Sequence, residues 1–350
     1  MNLVTLLQEL SNAFGVAGFE DEVRERIRDH ISPFVDNVRT DTLGNLFAFR
    51  EGKGNLTLML DAHMDEVGFM VKWIDDKGYL RFTPIGGWDP RILPSHRVEI
   101  LTRSGEKRIG VIGSVPPHIL KEEERKQPIP IENLFIDVGA FSRQQAAEMG
   151  LCIGDPITIH YPFTEVHPGY VIGKAFDDRA GCTVMIEAAS RLAKSDLNVN
   201  LVFAFVIGEE VGLRGARTAA YQINPDFALA LEGTIGADMP GVSEESQPVR
   251  VGRGPAITVA DRSIIVSRKM IQALEHVAQD ENIEYQYKLP TYGGTDAGAI
   301  HLTRAGILSG IVSVPCRFIH SPNSALSLDD LENTVRLVVG FINALPDLLS

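Results

Sequence analysis

Residues 201–207 form an unbroken apolar run rich in Val and Phe, bounded by Asn200 and Gly208. Seven residues are too few to cross a bilayer, and a run of this kind predicts a buried parallel strand. Similar strand patterns recur at 56–60, 171–175, 227–231 and 307–314, separated by stretches with helical spacing at 20–31, 180–193, 263–282 and 328–345. A helical face at Leu3, Leu6, Leu7 and Leu10 and a hairpin pattern at 37–50 precede them. This alternation predicts an α/β fold, a mixed, mostly parallel sheet flanked by helices. Between 69 and 167 the texture changes to short β-like pieces broken by turn residues such as Asp76-Lys77-Gly78 and Ser104-Gly105. The chain therefore reads as one domain made of 1–68 and 168–350, with a small β-rich domain inserted at 69–167.

The strand ends carry the chemistry. In an open α/β sheet, ligands sit beyond the carboxyl ends of the strands. There this chain places His63 and Asp65, then Asp177 and Asp178, then Glu209 and Glu210, then Glu232, then His320. Taken singly, each has a bland explanation: two aspartates cap a helix, and two glutamates complement its dipole. Taken together, His63, Asp177, Glu210, Glu232 and His320 would meet at one rim. Two imidazoles and three carboxylates suit a pair of borderline divalent ions such as zinc or cobalt, whereas calcium and magnesium favour oxygen throughout. Glu209, beside Glu210, is then free to handle protons.

Composition narrows the partners. The 350 residues are 44% apolar with a formal charge of -13, which argues against nucleic acid or an anionic membrane as partner. No run reaches membrane-spanning length, and residues 1–10 lack a signal-peptide pattern. Three widely spaced cysteines, Cys152, Cys182 and Cys316, form no disulfide framework, so a cytoplasmic protein is expected.

The motifs HMDEVG (63–68), AFDDRAG (175–181), GEEVGLRGA (208–216), GGTDAG (293–298) and HSPN (320–323), in this order, make the chain resemble the di-metal aminopeptidase family that includes the tetrahedral TET and glutamyl aminopeptidases. The resemblance extends over essentially the whole chain. It implies a zinc-peptidase-like fold and hydrolysis of the N-terminal peptide bond of short peptides through a hydroxide bridging two metals. Asp177 would bridge the ions, His63 and Glu232 would complete one, and Glu210 and His320 the other. Glu209 would be the general base, Asp65 would orient His63, and a cis peptide would fall at Asp177-Asp178. Many relatives carry aspartate where Glu232 stands, and Asp238 is the nearest other carboxylate. The resemblance also implies dimers, formed through the inserted domain, that build a tetrahedral dodecamer. Because relatives have been labelled endoglucanases, a glycoside hydrolase is the competing reading. Segments 254–261 and 287–294 are expected to build the pocket for the N-terminal side chain, where Lys288 or Arg262 would favour an acidic residue and an apolar wall would favour leucine.

Overall fold

The computed structural model describes residues 2–289 and 293–349. Its main sheet is mixed, with four parallel strands at the centre: Asn200–Val206, Thr57–His63, Phe227–Gly236 and Leu308–Arg317, side by side in that order. The hairpin Asn37–Thr40 and Leu46–Arg50 extends one edge, and antiparallel strands Ser324–Ser327, Tyr170–Gly173 and Thr164–His167 extend the other. Strand alternation sends Leu58, Leu60 and Ala62 into the larger core, which also holds Val184 and Met185 of the Phe176–Leu192 helix and Leu331 and Val338 of Leu328–Leu349. Met59 points the other way, onto Ala216 and Ala220 of the Arg214–Ile223 helix and Ile300 of Ala297–Ile300. The period of two therefore also directs Asp61 and His63 to that second face.

The inserted segment closes into a barrel. Six strands, Gly68–Ile74, Leu80–Ile85, Phe135–Asp137, Lys107–Gly113, Arg97–Leu101 and Pro156–Ile159, pair in that circular order. Their inward side chains, among them Phe69, Phe82, Ile100, Ile112, Ile136 and Ile157, make a core separate from those of the main sheet. Closure leaves no free sheet edge, which open strands this short would otherwise present. Among the described residues no helix is long and apolar enough to cross a membrane.

Four local readings of the sequence differ from the structure. Glu232 does not follow its strand but lies inside it, because Phe227–Gly236 keeps parallel register with all ten residues of Leu308–Arg317. The helix expected from residue 263 begins at Arg268: Asp261 Oδ1 accepts from the backbone of Ser263 and Ile264, holding a turn there, and Ser267 becomes the cap. Ser324–Ser327 is a further strand, too short and too small in its side chains to stand out from periodicity. The charged stretch 121–126, which between Pro117 and Pro128 reads as a solvated loop, contains a four-residue helical turn, Glu122–Arg125.

A buried ionic junction ties the barrel to the sheet. Glu66, 3% exposed, accepts from Lys174 Nζ at 2.7 Å, from the backbone of Gly15 at 3.2 Å and from Thr158 Oγ1 of the barrel at 3.0 Å. The wholly buried Arg179 lies 3.6 Å from the same carboxylate and donates to the carbonyls of Leu10, Met64 and Gly15. Both cations are thus neutralised or hydrogen-bonded, as burial requires. Replacing Glu66 with alanine leaves them without their carboxylate, and urea unfolding should register a loss of about 3–5 kcal/mol. A loss below about 1 kcal/mol, the range of an exposed pair, would deny the junction its role.

Candidate active site

The strand ends converge as the motif spacing predicts. His63 is the last residue of its strand; Asp177 lies in the first turn of Phe176–Leu192, after Ala175 in a left-handed conformation; Glu209 and Glu210 follow Asn200–Val206; His320 follows Leu308–Arg317. The Asp177-Asp178 peptide is cis, as the resemblance implied.

Asp177 stands between the two imidazoles. Its Oδ1 is 3.4 Å from His63 Nε2 and its Oδ2 is 3.4 Å from His320 Nε2. On one side Glu232 Oε2 is 3.8 Å from His63 Nε2; on the other Glu210 Oε1 is 3.0 Å from His320 Nε2. Both rings are turned by backbone carbonyls. His63 Nδ1 is 3.0 Å from Asp65 O, and His320 Nδ1 is 3.1 Å from Gly87 O. With Nδ1–H donated in this way, each Nε2 is left facing the carboxylates, the atom through which a histidine so oriented would bind a metal ion in place of a proton.

Asp65 was expected to orient His63. Its backbone carbonyl makes that contact, while Oδ1 of its carboxylate lies further off at 3.5 Å. The carboxylate instead accepts from the backbone N–H groups of Glu209 at 3.0 Å and Glu210 at 3.1 Å, and so holds the two-glutamate turn against the His63 loop. Asp238 is taken up elsewhere, in a bidentate pair with Arg317 at 3.0 and 2.6 Å.

Sequence reasoning passed over three contributors. Asp178 forms a close group with His63 and Glu232, although its carboxylate also accepts from the backbone of His63 and Gly181; it stood inside the AFDDRAG motif, beside the residue that was singled out. Asp296, from GGTDAG, donates its backbone N–H to Glu232 Oε1 at 3.4 Å, and its buried carboxyl, like that of Asp61, has no hydrogen-bond partner among the described residues. Gly87 belongs to the barrel, and nothing local in the sequence links it to His320.

Electrostatics follow from this crowding. Burial raises the Glu209 carboxyl to about 8; His63 opposes the shift and the neighbouring carboxylates Glu210 and Asp177 add to it. Burial also raises Glu232 well above the usual carboxylate range, with Asp178 reinforcing it. For His320, burial works against protonation, yet Asp177 and Glu210 overcome it and push the imidazole up to about 11. Asp177, against its own burial, is held low by the two histidines. Carboxylates packed this tightly beside two Nε2 atoms retain cations, whether protons or metal ions. The donor set of two nitrogens and several carboxylate oxygens, split into a His63–Asp178–Glu232 group and an Asp177–Glu210–His320 group each spanning no more than 4.8 Å, fits a pair of divalent ions.

A cavity of about 910 Å³ opens over these residues. Lys288, Gly293 and Gly294 line it, as does Arg262, while the expected 254–261 stretch is absent from its described wall. Residues 290–292 of the other expected stretch lie outside the described residues. Lys288 is only 5% exposed, and among the described residues no carboxylate pairs with it.

Known proteins match this architecture along its length. The family model described as M42 glutamyl aminopeptidase matches residues 44–337. The glutamyl aminopeptidase of Lactococcus lactis subsp. cremoris is 33% identical, over 98% of this chain and 97% of its own. The crystal structure of a TET aminopeptidase from the marine sediment archaeon Thaumarchaeota archaeon SCGC AB-539-E09 superposes with a TM-score of 0.95 at 39% identity, covering 98% of this chain and 96% of that one. The Pyrococcus horikoshii TET1 peptidase, described as able to assemble into a tetrahedron or a large octahedral shell, superposes with a TM-score of 0.87 at 34% identity, covering 97% and 99%. With the family model, the sequence and the fold all matched along its length, the chain belongs to the M42 glutamyl aminopeptidase family.

Proposed function

We propose that this chain removes the N-terminal residue from short peptides using two divalent ions, zinc or cobalt, held by His63, Asp177, Glu210, Glu232 and His320. The observation that carries the proposal is Asp177, whose two oxygens face two imidazole Nε2 atoms at the same 3.4 Å from opposite sides. A carboxylate so placed is built to bridge. Asp178 lies close enough to His63 and Glu232 to share in the same half of the site.

Two ions bound there would supply Lewis-acid polarisation of the scissile carbonyl, a hold on the free α-amine and a lowered pKa for water. The chain's own groups do the rest. Glu209 is 13% exposed, faces the cavity and lies 4.0 Å from His63 Nε2, close to the reacting centre yet outside the two closest groups. It takes the proton of the attacking water and returns it to the leaving amine. Asp65, through the backbone of Glu209 and Glu210, keeps that carboxylate in place. The glycosidase reading is disfavoured by the chemistry of the site: it needs an acid and a base flanking an acetal bond, and here the carboxylates surround two imidazoles.

The barrel leaves large apolar side chains exposed, among them Trp73, Ile109, Ile119 and Phe141. We read the barrel, which runs from Gly68 to Ile159 because Thr164–His167, expected within the inserted domain, joins the main sheet, as a self-association surface from which dimers build a dodecamer, in line with the described assemblies of the Pyrococcus horikoshii relative. Light scattering on the metal-loaded chain at micromolar concentration should give a mass many times that of a single chain of 38.4 kDa; a monomer removes the assembly from the proposal.

Glu209→Gln should keep both ions while kcat falls by about 10²–10⁴, the usual worth of a positioned base. The sign with pH is set by the base form: the wild-type rate falls as pH drops through the Glu209 titration, and that limb should vanish in the Gln variant. A metal-loaded Glu209→Gln enzyme with near-normal turnover takes Glu209 out of this role.

Lys288 supplies the substrate preference. A buried ammonium without a carboxylate is costly, and the side chain of an N-terminal Glu or Asp would neutralise it. Among aminoacyl chromogens, the glutamyl or aspartyl compound should be cleaved best. Lys288→Met should lower kcat/KM for it about 10-fold or more, the cost of losing a buried charge partner, and leave leucyl hydrolysis near its starting value. Equal losses on both substrates would exclude Lys288 as the selector.

A further inference from the structure

The two halves of the site are held by different parts of the molecule. The His63 ring is 1% exposed, and the carbonyl that turns it belongs to Asp65, two residues along the same loop. The His320 side chain is 34% exposed, on a backbone in the left-handed region (φ 55°), and the carbonyl that turns it belongs to Gly87, 233 residues away in the chain. Gly87 lies between barrel strands Leu80–Ile85 and Arg97–Leu101. A cavity of about 20 Å³, room for about one water, adjoins His320 and is lined in part by Trp88, Ser321 and Ser324.

The Gly86–Gly87–Trp88 loop is itself clamped at both ends. Trp88 Nε1 donates to Gly68 O at 3.0 Å, and its ring stacks on the buried Phe69 of the barrel core at 4.8 Å. Gly86 has φ +76° and sits so close to the site that an added Cβ would lie 2.6 Å from Val67 Cγ1 and 3.4 Å from Glu210 Cβ. A Cβ on Gly87 would lie 3.4 Å from His320 Nδ1. The loop therefore reaches His320 through the Gly87 carbonyl and stands beside Glu210, the two groups that complete one half of the site, while Gly86 also packs on Val67, two residues beyond the Asp65 carbonyl that turns the ring of the other half.

We propose that the Gly86–Gly87–Trp88 loop is a positioning element for the Asp177–Glu210–His320 half, acting through the Gly87 carbonyl, so that the geometry of the barrel sets the affinity of that half for its ion more than that of the His63–Glu232 half. The proposal rests on the two-ion reading above. It acts through the orientation of the ring: the Gly87 carbonyl accepts from Nδ1–H and keeps Nε2 aimed at Asp177 and Glu210, and losing such a partner weakens metal binding about 10- to 100-fold. Any movement of the barrel against the sheet would be felt first at this ion.

The test is cobalt(II) titration of the chelator-stripped chain, followed by visible absorption and by equilibrium uptake. Wild type should take up two ions per chain. In Gly86→Ala, whose Cβ displaces the loop from the site side, and in Trp88→Ala, which frees it from the barrel side, one ion should bind with wild-type affinity and the other about 10- to 100-fold more weakly. Trp88→Phe, which keeps the ring on Phe69, should fall between them and wild type. A double-mutant cycle identifies the half concerned: adding Gly86→Ala to His320→Ala should cost the remaining ion nothing, and adding it to His63→Ala should weaken the remaining ion. A general loosening of the fold would weaken both ions together, and that result, or two ions of unchanged affinity in both loop variants, overturns the proposal. If Trp88→Ala lacks a cooperative thermal transition, Gly86→Ala decides. Fewer than two ions in wild type would overturn the two-ion reading and the proposal with it, whereas two ions in wild type with no selective loss would overturn the proposal alone.

Discussion

The structure depends on the repulsion among carboxylates gathered at one sheet rim. Asp177, Asp178, Glu209, Glu210 and Glu232 lie around two imidazoles, with Asp61, Asp65 and Asp296 buried just behind them. Like charges in a medium of low polarity stay together only if cations neutralise them. The imidazoles answer part of that demand, and the raised Glu209 and Glu232 show how much is left over. A site so constituted attracts divalent ions, and the elements around it are arranged to keep its members from moving apart.

The restraint comes from backbone groups more than from side chains. Asp65 grips the N–H groups of Glu209 and Glu210, carbonyls of Asp65 and Gly87 fix the two rings, and the backbone of Asp296 meets Glu232. Such contacts are rigid because each backbone group is already committed to a strand end or a tight turn. Further back, Glu66, Lys174 and Arg179 tie the loop after His63, the turn before Asp177 and the barrel strand carrying Thr158 into one buried junction. The barrel thus meets the main domain at several places, among them Glu66, by charge, Gly87, by a single carbonyl, and Lys107, which pairs with Glu22 at 2.8 Å.

The sequence by itself determined much of this. Apolar runs of strand length alternating with helical stretches made the α/β class legible, and the position of each histidine and carboxylate just beyond a strand made the convergence legible, because an open sheet collects such positions at one rim. Motif spacing then led to the family. Boundaries were legible where a local signal exists, as at Ser142, whose hydroxyl caps Arg143–Glu148, and were missed where a distant partner overrides the local pattern. Register with Leu308–Arg317 carries the Phe227 strand past Glu232, and the Asp261 turn delays the next helix to Arg268. Only the tertiary structure decided that Asp65 works on the two glutamates through its carboxylate and on His63 through its backbone, that Asp238 is held by Arg317, and that His320 is oriented by a barrel glycine. The physical reason for Asp65 and His320 is that a backbone carbonyl or N–H has no residue identity, so a contact made through it leaves no mark in the sequence; for Asp238 it is that an ion pair between residues 79 apart leaves none until the chain has folded.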